Sequence, residues 1–151
     1  MSTEHFHPMV VHFPIVFLFL APLIQCVRLF VTKDYHLEKV LLGVLSVGLF
    51  SFLIAVLLGE EALGVLRYSG QVAKTLAEHE DNAIICFVSY LVSLALVWPE
   101  ILRPKALLPI IDHKVYPFLI LFIMILGLTY LIFTSHTGGQ LVYIHGLGVS
   151  K

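Results

Sequence analysis

Four long apolar stretches, at residues 9–30, 40–59, 83–102 and 115–133, constrain this chain more than any other feature of its sequence. Each is close to the roughly 20 residues a helix needs to cross the hydrocarbon layer of a bilayer. Inside that layer a backbone can satisfy its N–H and C=O groups only within helices or closed barrels. Composition agrees, with 59% hydrophobic and 13% charged residues, about half the charge of a soluble domain. The expectation is an all-α integral membrane protein in which residues 1–151 form a single four-helix bundle.

The links refine that picture. Pro14 can sit in the first turn of the first helix, whereas Pro22 should kink it. A short charged link at 31–39 implies an antiparallel hairpin, and Gly43, Ser46 and Gly48 offer close helix approach in the second stretch. Residues 60–82 are acidic at both ends and apolar between, which predicts an interfacial segment of one or two short helices broken at Ser69-Gly70. In the third stretch His79, Asn82, Cys86, Ser89 and Ser93 recur at helical spacing, so this stripe should face the bundle interior. That stretch ends at Trp98-Pro99, followed by a proline-containing loop over 103–114. The glycine-rich tail, 134–151, is expected to fold back on the bundle.

Basic residues give an orientation. Arg28, Lys33, Lys39, Arg103, Lys105 and Lys114 flank the two short links, and Arg67, Lys74 and Lys151 fall on the other side. Six against three puts both termini outside, in the periplasm for a multi-pass protein of a bacterial inner membrane. Glu4, Glu60, Glu61, Glu78, Glu80 and Asp81 then lie outside as well. The start lacks a basic n-region and a small-residue cleavage site, so the first helix should be retained. Cys26 and Cys86 fall near opposite faces, too distant for a disulfide. A net charge of −1 argues against a nucleic-acid partner.

With that topology six of the eight histidines, His5, His7, His12, His79, His136 and His145, belong to the outer side, and only His36 and His113 to the inner. Histidine near lipid needs a partner, and the starts of helices one and three and the end of helix four bring imidazoles to similar depth. Imidazole ligates metals and serves as an axial ligand of haem iron. Phe6, Phe13 and Tyr143 are candidate stacking partners. The absence of C-x-x-C-H excludes covalent haem attachment.

Blander assignments compete with each of these. His5 reads as an exposed terminal residue, His12 equally as a structural histidine bonded to a carbonyl freed by Pro14, and the stripe on helix three as packing glue. Glu60-Glu61 reads as a solvated boundary, with a proton-handling carboxylate as the alternative. His79-Glu80 lacks the second histidine of a zincin, having Ala83 instead, and Gly146-Leu147-Gly148 lacks the lysine of a phosphate loop.

Three separated motifs carry a family resemblance: His7-Pro8-Met9-Val10-Val11-His12-Phe13-Pro14-Ile15, then His79-Glu80 with Ala83, then Gly138-Gly139-Gln140-Leu141-Val142-Tyr143-Ile144-His145-Gly146-Leu147-Gly148-Val149. Together they resemble a family of small prokaryotic membrane proteins known as domain of unknown function 2231, over nearly the whole chain. The resemblance implies a four-helix membrane domain, sometimes joined to or beside cytochrome c-type modules, and hence respiratory electron transfer. Its histidines fall here on His7, His12, His79 and His145; His136 lies outside the motifs, and Glu60-Glu61 departs from the family's pattern.

The leading expectation is therefore a small b-type cytochrome-like protein. It would hold haem b through pairs drawn from His7, His12, His79, His145 and His136, passing electrons between membrane quinol and a periplasmic redox partner, such as a cytochrome c or a larger respiratory complex. A second reading builds a copper, iron or zinc site from His12, His79, His145 and His7. A third is a structural or assembly subunit without a cofactor. Self-association into a homo-oligomer is compatible with all three.

Overall fold

In the computed structural model, residues 9–31, 35–63 and 69–147 are described. They form four long helices: α1 (His12–Phe30), α2 (Tyr35–Leu63), α3 (Gly70–Leu102) and α5 (Tyr116–Tyr143). Between α3 and α5 lie a 3₁₀ turn, Lys105–Leu107, and the short helix α4, Leu108–Ile111. All four long helices are long and apolar enough to cross a membrane. Their outward faces carry large apolar side chains such as Phe50, Leu57, Ile84 and Phe122, each more than 60% exposed, which suits lipid and not water.

Two features depart from expectation. No separate interfacial helix occupies 69–82, because α3 starts at Gly70 and runs without a break through His79 and Asp81 into the apolar stretch. Its 33 residues extend to about 50 Å, well beyond a hydrocarbon layer of roughly 30 Å. The exposed Lys74, Glu78, Glu80 and Asp81 therefore ride on the projecting part of a spanning helix. The glycine-rich segment after Phe133 likewise differs: α5 continues to Tyr143, and among the described residues a turn follows as far as Leu147, with residues 148–151 outside the described residues. Glycine weakens a helix by about 1 kcal/mol, and packing against α3 overrides that cost.

The hairpins α1–α2 and α3–α5 are the closest pairs, and the two hairpins pack together less tightly. Leu18, Leu41, Leu45, Cys86, Tyr90, Val97, Ile120 and Met124 are fully buried between them. Glycine permits the closest crossings. A Cβ on Gly48 would lie 2.6 Å from Leu18 Cδ2, and one on Gly127 would lie 2.8 Å from Tyr90 Cε2. Gly43 meets nothing, and Ser46 is exposed and bonds its own helix at Leu42 O. Of the three small residues expected to mediate packing in α2, Gly48 alone sits at such a crossing. The stripe on α3 does turn inward: Cys86, Ser89 and Ser93 are buried, and His79 and Asn82 are half-buried.

Tyr90 also repairs a backbone defect. Pro22 has no N–H, so the Leu18 carbonyl one turn earlier lacks its helical donor. The Tyr90 hydroxyl donates to that oxygen at 2.8 Å. Near the opposite end of the bundle from His12, a charged network ties all four long helices. Arg28 of α1 contacts Glu100 of α3 at 2.9 Å, Glu38 of α2 at 3.1 Å and Gln25 Oε1 at 2.6 Å. Gln25 Nε2 donates in turn to Pro117 O of α5 at 2.8 Å. Among the described residues no buried side-chain polar atom lacks a hydrogen-bond partner.

Candidate functional site

Where α1 begins and α5 ends, the looser contact between hairpins leaves a cavity of about 300 Å³. Small residues make the room: Ala55 of α2, Ala83 of α3, and Gly138 and Gly139 of α5 all line it. Pro14, Ile15, Phe52, Leu131 and Val142 supply apolar wall, and the rim runs past Val56 and Tyr143, which is 89% exposed. A Cβ on Gly139 would meet nothing within 4 Å, so a larger side chain there has open space to enter.

Two histidines border this space from different hairpins. His12, the first residue of α1, lines the cavity with an exposed side chain. His79 lines it from α3 and is half-buried. The His79 ring is held by its Nδ1, 3.0 Å from Thr134 O and 3.2 Å from Thr137 Oγ1. A carbonyl can only accept, so the proton is on Nδ1. Thr137 donates its own hydroxyl hydrogen to Phe133 O at 3.0 Å, leaving an oxygen lone pair for the same imidazole N–H. In the neutral ring this fixes the lone pair on Nε2, the arrangement by which metal-ligating histidines are oriented through their second nitrogen. Gly138 makes the approach feasible, since a Cβ there would stand 3.1 Å from His79 Cε1.

The other candidate residues are placed differently. His136 is exposed on α5, accepting from Gln140 Nε2 at 3.1 Å, and does not border the cavity. His145 sits half-buried in the turn after α5, its backbone N–H donating to Gln140 O at 3.1 Å, and is likewise absent from the lining. His7 and Phe6 lie outside the described residues. Phe13 is 59% exposed and does not line the cavity, whereas Tyr143 does. Sequence reasoning missed Thr134 and Thr137, whose function is visible only once α5 is known to continue past Phe133. Cys26 and Cys86 are free thiols.

Residues 4–151 match the model of a family described as predicted membrane protein, DUF2231. The chain belongs to that family. The DUF2231 match takes in the three histidine- and glycine-bearing motifs and every residue of the cavity wall. No curated protein and no solved structure matches the chain.

Proposed function

We propose that this DUF2231 protein is a membrane b-type cytochrome, in which His12 and His79 would hold a haem at the cavity between the hairpins. The observation that carries the reading is the convergence of imidazoles from α1 and α3 on one small-residue, apolar cavity. The residues fit such a group in three ways. The His79 ring is oriented from behind, through Nδ1, by Thr134 and Thr137. Gly138 and Gly139 leave space that a Cβ or larger group would reduce. About 300 Å³ lies at the lower end of cofactor pockets and does not enclose a whole haem, so part of the ring would pass out through the open rim at Tyr143.

From the described residues alone, haem asks for fewer protein donors than a metal held only by side chains. Among the described residues no three His, Cys, Asp or Glu side chains gather as a ligand set. Two imidazoles leave tetrahedral zinc short of donors, whereas a porphyrin brings its own nitrogens and asks the protein for axial ligands only. When bound, haem supplies a one-electron iron couple. The chain's own residues then orient His79, exclude water with Ile15, Phe52 and Leu131, and set ligand basicity through the Thr134 carbonyl. With the basic residues of the short links on the inner side, the cavity faces the periplasm. Quinol in the bilayer is the donor and a soluble periplasmic redox protein the acceptor. The exposed Glu78, Glu80 and Asp81, on the projecting part of α3, give that acceptor a negative surface to approach.

An absorption spectrum of the purified protein, oxidised and after dithionite, tests this. A Soret band that shifts on reduction is expected, lost in His12→Ala and in His79→Ala and retained in His36→Ala. A colourless protein from iron-replete, haem-competent cells, or unchanged spectra in both cavity variants, removes the proposal.

A further inference from the structure

At the end of the bundle remote from the histidine cavity, a second concavity of about 320 Å³ lies between α4 and the start of α5. Pro109, Ile110, His113, Val115, Tyr116 and Leu119 line it. Ile110, Val115 and Leu119 are 56%, 60% and 44% exposed, so the groove opens outward, toward the lipid in a membrane-embedded chain. Its charged border is asymmetric. Lys114 is exposed between two lining residues, and Lys105 is exposed on the preceding 3₁₀ turn. The nearby Asp112 is already neutralised by Arg103 at 2.8 Å. α5 carries no acidic residue in its first turn, so its positive dipole end is uncompensated there.

His113 adds a donor of defined sense. Its Nδ1 accepts from the Val115 backbone N–H at 3.3 Å, so the neutral ring carries its proton on Nε2. A lysine flanked in sequence by two lining residues and an imidazole N–H on a lining residue thus adjoin an apolar groove at the start of a helix. That combination matches a phosphodiester joined to an acyl chain. We propose that the groove holds one acyl chain of an anionic phospholipid, with Lys114 and His113 meeting its phosphate. The lipid binds here independently of whatever occupies the histidine cavity.

Native mass spectrometry of the full-length protein tests this, with phosphatidylglycerol and phosphatidylcholine of matched acyl chains supplied in equal amounts. The wild-type chain should retain phosphatidylglycerol preferentially, as one tightly held molecule. Lys114→Gln should lower the phosphatidylglycerol-to-phosphatidylcholine ratio about fivefold, the effect of one lysine at an anionic surface. Ile110→Trp, which fills the groove, should lower retention of both lipids. Lys39→Gln removes an exposed cation that does not border the groove and should leave the ratio unchanged. Equal retention of the two lipids by the wild type overturns the proposal. So does unaltered retention in Ile110→Trp, or a fall in Lys39→Gln as large as in Lys114→Gln.

Discussion

Replacing Arg28 by methionine should destabilise the bundle more than any other single change to a polar side chain. The guanidinium bridges Glu100 at 2.9 Å, Glu38 at 3.1 Å and Gln25 Oε1 at 2.6 Å. Its side chain is 11% exposed and that of Glu100 is 7%. Methionine keeps the volume and removes the charge, so Glu100 is left buried opposite another carboxylate. Breaking a buried pair costs about 3–5 kcal/mol. Glu38, at 18% exposure, can turn toward water, so the lower half of that range applies, about 3 kcal/mol. Removing both charges is a different perturbation. In Arg28→Met with Glu100→Leu the only carboxylate left without its partner is Glu38, which can turn toward water, and the loss should fall to about 1 kcal/mol. The assay is equilibrium unfolding in mixed micelles titrated with SDS, on wild type, both single variants and the double variant. A single-variant loss under about 1 kcal/mol, or a double variant no better than Arg28→Met, would refute a desolvated bridge and leave an ordinary surface pair.

Four further outcomes follow from the packing. Gly127→Ala should cost about 1–3 kcal/mol in the same unfolding assay, because its Cβ would lie 2.8 Å from Tyr90 Cε2; Gly43→Ala, with nothing within 4 Å, should cost nothing. Tyr90→Phe should lose about 1 kcal/mol, and less in a Pro22→Ala background, where residue 22 regains the N–H that the Leu18 carbonyl needs. Gly139→Leu should abolish the Soret band, since Gly139 lines the cavity and a Cβ there meets nothing within 4 Å; retention of full haem content would dissociate the cavity from the cofactor. Thr137→Val should shift the haem midpoint potential and leave occupancy intact, because the Thr134 carbonyl still holds Nδ1 of His79 at 3.0 Å.

The four spans were legible because lipid imposes a length and a polarity that sequence displays directly. The inward stripe on α3 was legible for the same reason: Cys86, Ser89 and Ser93 recur at helical period, and all three are buried. The ends of the helices were not. Lys74, Glu78, Glu80 and Asp81 read as interfacial because charge is excluded from lipid, yet a helix that projects beyond the bilayer needs no apolar surround. The glycine-rich tail reads as a fold-back, yet α5 continues through Gly138 and Gly139, and a Cβ at 138 would stand 3.1 Å from Cε1 of His79, 59 positions earlier in the sequence. That long-range contact has no local signature. Arg28 was visible only as a cation flanking a span. Gln25 and Arg28, three residues apart in an apolar stretch, did mark a polar face, and intramembrane polar residues call for partners. Which partners, Glu38, Glu100 and the Pro117 carbonyl, depended on the hairpin arrangement.

The straightness of α5 also explains why the histidines divide as they do. Had the chain turned back after Phe133, His136 and His145 would have been free to reach the cavity. Because α5 continues, side chains advance by about 100° per residue, and the phase that presents Thr134, Ser135, Gly138 and Gly139 to the cavity leaves His136 on the exposed face. The same phase brings the Thr134 carbonyl and Thr137 hydroxyl against His79. The helix that withholds one imidazole therefore orients another. A kink introduced at Ser135→Pro should undo that arrangement: it would disturb the Thr134–His79 contact and rotate the segment beyond it. The expected readout is a loss of the Soret band that His136→Ala alone does not produce. If His136→Ala removes the band while Ser135→Pro leaves it, α5 does not set the ligand pair and His136 is a ligand.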